Sequence, residues 1–289
     1  MSVAVVTPRT PARTARHVLG TAVGGYLPLV GAVVIVALPL LWMVIASFKP
    51  PGEILTQQLV PIPQHPTLDA YTTASETVDF PRFFLNSAIV TVAGSAIKVV
   101  LAMTTAYALA YVWFPFKSLV FAFILVALMV PAQVSLIPNY VLVAQLGGVN
   151  TYWGIILPGL GTAFGTFLLR QHFLSLPKEL VEAAEMDGAG HVRRLFQIIA
   201  PVSAPTIATV ALITVVNEWN DFIWPLIITS DPRMMTLPVG LSLLRNTENT
   251  VSAYPVMMAG AVVVIVPVLI LFTFLQRYIV AGLTQGAVR

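Results

Sequence analysis

Apolar residues along this chain come in long blocks separated by short polar stretches. No Asp, Glu, Lys or Arg occurs from His17 to Phe48, from Ser118 to Leu169, or from Asn249 to Gln276. A helix rising about 1.5 Å per residue needs roughly 20 residues to cross the ~30 Å hydrocarbon layer of a bilayer. These blocks are long enough. The pattern predicts six crossings, near Tyr26–Phe48, Leu85–Val112, Ser118–Ile137, Tyr152–Leu174, Val202–Ile228 and Pro255–Ile279. Lys49–Phe84 carries Pro50, Pro51, Pro61, Pro63, Pro66 and Pro81 and reads as a loop outside the membrane, and Gly147-Gly148-Val149-Asn150 is a turn signature. Pro39, Pro131, Pro158, Pro225 and Pro267 are expected to kink their spans. The chain divides into an N-terminal tail (1–25), one transmembrane domain (26–279) and a C-terminal tail (280–289). Tyr26–Phe48 is too long for a signal-peptide core and reads as a retained first span.

Composition sharpens this picture. The chain is 57% hydrophobic and 9% charged over 289 residues, with a mean hydropathy of +0.88. A soluble chain could not bury so much apolar surface in one core. The expected fold class is therefore an all-α integral membrane protein whose first partner is the lipid bilayer. No basic face with interleaved aromatics is present, so nucleic acid is not an expected partner. Cysteine is absent, which excludes thiolate catalysis and Cys-bound zinc. His17, His65, His172 and His191 are scattered, so no metal site and no catalytic residue is assigned.

Charge placement sets the orientation. Cytoplasmic segments retain Lys and Arg. With the N-terminus inside, the inner segments hold ten of these residues and the outer loops four, Lys98 lying within a span. Both termini are expected in the cytoplasm, and so is the connection between the fourth and fifth spans, 175–200.

That connection, continued to Pro205, reads SLPKELVEAAEMDGAGHVRRLFQIIAPVSAP. Pro177 suits a first helical turn, and Glu179 adds favourable charge near that N-terminus. Leu180, Ala183, Ala184 and Asp187 fall on one narrow face of mainly small residues. Gly188 offers a left-handed stop. A second amphipathic helix follows through Leu195, Phe196, Ile198 and Ile199, and Pro201 begins the next span. By itself this is a helix–turn–helix at the membrane surface, which an ordinary interfacial loop would also give.

The spacing of Glu182-Ala183-Ala184, Asp187-Gly188-Ala189 and Ile199-Ala200-Pro201 resembles the EAA motif of ABC importer membrane subunits. That family more often has Leu at the position of Ala200. Ser47-Phe48-Lys49-Pro50, Leu85-Asn86-Ser87, Ala106-Tyr107-Ala108-Leu109, Asn217-Glu218-Trp219-Asn220-Asp221 and the tail Gly282–Arg289 are similar to the carbohydrate-uptake branch, and most of all to the shorter permease of maltose-type and glycerol-3-phosphate-type importers. The resemblance implies six transmembrane helices with a cytoplasmic EAA helix–turn–helix between helices 4 and 5. It implies that Glu182, Ala183, Ala184, Asp187, Gly188, Ala189 and Pro201 couple the chain to an ATPase, and that Leu283, Thr284, Gln285 and Gly286 make a second ATPase contact. The implied partners are a second, paralogous permease, two copies of an ABC ATPase, and an extracytoplasmic solute-binding protein. ATP and Mg would lie on the ATPase subunits, with no cofactor in this chain and no enzyme activity of its own.

The sequence agrees with such a division of labour. It holds no G-x-x-x-x-G-K-[ST] phosphate loop. A self-sufficient secondary transporter or channel is the alternative, and it would need intramembrane ion sites or an internal repeat, neither of which is visible.

Charges inside the hydrocarbon are candidates for function. Glu218 and Asp221 lie three apart on an expected helical face, flanked by Asn217, Trp219 and Asn220. Carboxylates, amides and an indole suit hydroxyl-rich ligands, and the same residues would equally serve helix packing or an outer gate. Lys98 could meet an anionic group, but is expected to snorkel to lipid headgroups, as is Arg170. Gly161 and Gly165 have the spacing of a close helix contact.

Overall fold

The computed structural model describes residues 22–54, 62–244 and 253–285, with backbone alone for 22, 23, 271 and 274–285. Every regular element among them is helical. Helix α1 (Leu27–Ser47) continues through Pro39. Within the Pro-rich segment, expected to be loop, stand a single turn at Pro51–Ile54 and the helix α2 (Asp69–Thr77). Buried Ala70 and Ala74 seat α2 on the fold.

Helix α3 (Phe80–Tyr111) is the spine. Asp79 caps it by accepting from the Arg82 N–H at 3.1 Å. Its 32 residues, at about 1.5 Å each, extend about 48 Å, more than a bilayer core requires. Three core clusters follow one another along it. Phe83 joins Ala70, Trp219, Leu237 and Ala259 at one end. Val90 meets Val143, Ile155, Trp224 and Ile228 in the middle. Ala102, Ala106 and Tyr107 pack with Leu169, Phe173, Leu195, Ile199 and Val210 at the far end.

Two of the predicted spans are bent instead of continuous, and the fifth is entered through a sharp turn. Helix α4 (Lys117–Met129) is followed by a 3-10 turn and α5 (Leu136–Gln145), and the two halves meet at 91° around Pro131. Helix α6 (Tyr152–Ile156) ends in a 3-10 turn holding Pro158, and α7 (Ala163–Ser175) departs at 50°. Proline removes a backbone donor and clashes with the preceding turn, which locates both breaks. After helix α8 (Lys178–Met186), a helical stretch α9 (His191–Val202), with a π-helical segment at Arg194–Ile199, turns by 88° into α10 (Ala204–Asn220). Helices α11 (Ile223–Ile228), α12 (Leu237–Leu243) and α13 (Ala253–Gln285) complete the fold. Helix α13 continues through Pro267. Among the described residues, by length and composition, three helices, or six segments if each bent pair counts once, could cross a membrane.

Gly165 supports close packing: a Cβ there would lie 3.1 Å from Val210 and 3.2 Å from Ala102, whereas Gly161 has nothing within 4 Å. The paired-glycine expectation thus holds at one position only. Only 6% of the apolar window in Gly24–Ser47 is buried. An exposed apolar surface of that extent is stable only against lipid or another subunit.

Candidate functional site

Two features combine the residues singled out by sequence. One is the hairpin of α8 and α9. Helix α8 begins at Lys178, with Pro177 as its extended N-cap instead of a first-turn residue. It ends in a Schellman turn: the Gly188 N–H donates to the Glu185 carbonyl and the Ala189 N–H to the Ala184 carbonyl, both at 3.0 Å. Gly188 has φ +70°, as its left-handed role requires.

The face proposed from spacing is split. Leu180 and Ala184 turn inward, Leu180 against the Phe173–Ile199 cluster, while Ala183 and Asp187 point outward. Ala184 and Ala189 are buried by the hairpin itself. No partner backbone can reach either without prying the turn apart. The outward surface consists of Glu182, Ala183, Asp187 and Gly188, with Met186 and Val192 88% and 74% exposed. Pro201 is exposed in the last turn of α9 and does not begin a span; the change of direction comes at Ser203.

Arg194 locks the hairpin. Its Nε donates to the Ala189 carbonyl at 2.6 Å, and its guanidinium pairs with Glu185. The hairpin is tied to the spine by Tyr107, whose hydroxyl lies 3.1 Å from His191 Nδ1, the two rings meeting edge to face. Nearby, the Tyr111 hydroxyl donates to the Phe173 carbonyl at 2.5 Å. Ala106-Tyr107-Ala108-Leu109 therefore belongs to the foundation of the hairpin. The hairpin is thus joined to α10 through α9 and its 88° turn, to α3 through Tyr107, and to the Phe173 cluster through Leu180.

The second feature lies along α10. Lys98 on α3 forms an ion pair with Glu218 on α10, each side chain about one-seventh exposed (14% and 13%). This corrects the expectation that Lys98 snorkels: its ammonium is held between helices. Glycines make room for the pair. A Cβ at Gly94 would lie 2.8 Å from Glu218 Oε2, and one at Gly159 3.3 Å from Lys98 Nζ. Arg170 is likewise not simply extended to headgroups, because its guanidinium stacks 3.9 Å from the centre of the Phe121 ring.

The pair forms one wall of a cavity of about 230 Å³, which Gln133, Ser135, Asn139 and Asp221 also line. The cavity lies where the bend after α4, the break after α6 and the end of α10 converge. Asp221 does not share a helical face with Glu218, since α10 ends at Asn220 and Asp221 is extended (φ −65°, ψ 123°). Both still reach the same space. Their neighbours do not. Trp219 is buried, its Nε1 donating to the Val264 carbonyl at 3.2 Å, and Asn220 Nδ2 donates to the Val216 carbonyl at 2.7 Å. Asn217 is exposed outside this lining. Gln133, Ser135 and Asn139 were missed by sequence reasoning, although three polar residues soon after Pro131 in an uncharged block were the available signal.

The remaining motifs are structural. Asn86 Nδ2 donates to the carbonyls of Arg233 (2.9 Å) and Met235 (2.8 Å), and its Oδ1 accepts from the Tyr152 hydroxyl at 2.8 Å. Ser87 Oγ accepts from the Leu237 N–H at 2.7 Å. Ser47 Oγ lies 2.8 Å from the Tyr71 hydroxyl, seating the end of α1 on α2. At this end Arg233 hydrogen-bonds Asp231, holding its carboxyl below the ordinary value. Among the described residues no group of His, Asp and Glu could hold a metal ion. Leu283, Thr284 and Gln285 continue α13, their side chains undescribed, and Gly286 lies outside the described residues.

The fold is shared with a solved protein. A chain of a bacterial ABC transporter that imports the acidic polysaccharide alginate superposes with a TM-score of 0.79 at 22% identity, covering 94% of this chain and 99% of that one. An arabinooligosaccharide transport system permease, AraQ of Halalkalibacterium halodurans, is 35% identical over 258 residues, 88% of this chain and 92% of that protein. The sn-glycerol-3-phosphate transport system permease UgpE of Brucella abortus is 31% identical over 268 residues, 90% of this chain and 95% of that protein. Residues 98–285 match the family described as binding-protein-dependent transport system inner membrane component. With Lys98, the cavity and the whole hairpin inside that match, the chain belongs to this family of membrane permease subunits, which work within multi-subunit ABC transporters and are not enzymes.

Proposed function

We propose that this chain is the permease subunit of a binding-protein-dependent ABC importer that brings a carbohydrate or glycerol-phosphate-type solute into the cytoplasm. The six crossings are α1, α3, the bent pairs α4–α5 and α6–α7, α10 and α13, with α9 lying outside the hydrocarbon as the second arm of the hairpin. The excess of Lys and Arg in the inner segments supports a cytoplasmic position for both termini and the α8–α9 hairpin. A second, paralogous permease completes the path. Two ABC ATPase copies carry the ATP and Mg, and a solute-binding protein delivers the solute from outside. The Leu283–Gly286 tail makes a second contact with the ATPases.

The observation that carries this reading is the hairpin. Its inward face is packed on the core at Leu180 and Ala184, while the motif residues Glu182, Ala183, Asp187 and Gly188 face out. A rigid projection with exposed apolar tips is suited to docking in a cleft, and its direct connection to α10 transmits closure of that cleft to the helix that carries Glu218. To test it, Glu182→Trp and Gly188→Trp are expressed with the rest of the importer, and ATPase co-purification and ATP-dependent uptake are measured. Loss of either, with normal amounts of the chain in the membrane, is expected; wild-type values for both contradict the proposal.

A further inference from the structure

The relatives named above carry solutes of opposite character, a neutral arabinooligosaccharide and the anion sn-glycerol 3-phosphate. The lining of the cavity beside α10 bears on which of the two this chain suits. Among the described residues that line it, the one cation, Lys98, is paired with Glu218. Asp221 adds a carboxylate to the lining, and Gln133, Asn139 and Ser135 supply amides and a hydroxyl. Two carboxyl groups and one ammonium thus line this wall, an acidic excess of one group. Low-dielectric surroundings extend the reach of that charge, and a cleft concentrates its field. An incoming phosphate would meet a carboxylate, and among the described lining residues the cation is already paired. Sugar hydroxyls, which donate and accept together, match carboxylate, amide and hydroxyl partners alike.

We infer that the compartment bounded by Lys98, Glu218 and Asp221 passes uncharged polyhydroxy solutes and turns away phosphate-bearing ones. This rests on the reading of the cavity as part of the solute path. It assigns Asp221 as the residue that excludes anions, and the Lys98–Glu218 pair as a neutral wall that hydroxyl groups can hydrogen-bond.

The chain has no cysteine, so a single reporter thiol can be placed in the cavity. Ser135→Cys is introduced into the assembled importer, with the unsubstituted importer as background. Methanethiosulfonates bearing a neutral hydroxyethyl, a cationic trimethylammonium or an anionic sulfonate group are applied, and each rate is divided by that for 2-mercaptoethanol. The anionic reagent is expected to react at least about tenfold more slowly than the neutral one, and adding Asp221→Asn brings the two rates together. Trehalose in the bath is expected to slow the neutral reagent more than sn-glycerol 3-phosphate at equal concentration. Equal anionic and neutral rates before any change at Asp221 overturn the charge assignment, as does a gap that persists in Asp221→Asn. Should that variant fail to assemble, Lys98→Met/Glu218→Gln takes its place: it removes the neutral pair, is expected to preserve the gap, and abolition of the gap overturns the assignment. Protection by sn-glycerol 3-phosphate equal to or greater than that by trehalose overturns the solute class. No reaction with any reagent, with or without ATP, instead defeats the underlying view that this cavity is on the path.

Discussion

Arg194 Nε sits 2.6 Å from the Ala189 carbonyl oxygen, so a side chain of the second arm closes the turn of the first. The planar guanidinium can hold that carbonyl and Glu185 together, which an ammonium cannot copy. Arg194→Ala is expected to destabilise the hairpin by about 2 kcal/mol, mostly through the hydrogen bond to the carbonyl. Glu185 is 54% exposed, and solvent screening leaves its share small. Hydrogen exchange at Gly188, Ala189 and Gly190 should quicken in Arg194→Ala and in Arg194→Lys alike. Unchanged protection would show that the turn closes without the arginine.

Gly188 separates backbone from docking. Nothing lies within 4 Å of where its Cβ would be, so a substitution meets only the φ of +70°. Ala should cost about 1–2 kcal/mol of local stability, and Asn less, because its side chain tolerates this region. Exchange rates at Ala189 measure this cost. If Gly188→Asn keeps native protection yet loses ATPase co-purification, the glycine also provides clearance for the partner.

The Lys98–Glu218 pair predicts strong non-additivity. Removing one partner leaves a charge in a poorly solvated site, at a cost of about 3–5 kcal/mol, whereas removing both leaves none. Lys98→Met should therefore lower the thermal transition of the purified importer sharply, and Lys98→Met/Glu218→Gln should recover most of the loss. Additive losses would mean that the two side chains are independently solvated.

Asn86 is expected to matter for assembly and not for solute. Its buried amide donates to the Arg233 and Met235 carbonyls and accepts from the Tyr152 hydroxyl. Asn86→Ala should cost about 2–4 kcal/mol, since each buried group left without a partner costs about 1–3 kcal/mol. Proteolysis of the 230–237 segment in sealed, right-side-out vesicles should become faster. An unaltered digestion pattern would remove this role.

The long apolar blocks made the helical class legible from sequence, because hydrocarbon forces backbone groups to pair within helices. The hairpin was legible too, as Gly188 and the small residues announce a turn with close packing. The direction of each face was not. Ala183 and Ala184 are alike in type, and only the tertiary core decides that Ala184 faces inward. Proline flagged Pro131 and Pro158 but not the size of the bends, and Pro39 and Pro267 sit in helices that continue, because a proline breaks a span only where neighbouring packing permits. Lys98 was misjudged for a related reason: its partner Glu218 is 120 residues away, and periodicity carries no information at that separation.

The proposed function depends on the outward face of α8 and the turn after it meeting an ATPase. Met186, 88% exposed at the end of α8, is the place to look. A photoreactive benzoylphenylalanine at Met186, in bacteria producing the whole importer, should form an adduct with the ATPase chain, identified by mass spectrometry, whose yield changes when ATP is trapped with vanadate. Adducts with lipid or a periplasmic protein and none with the ATPase, while ATP-dependent uptake is intact, would contradict the account.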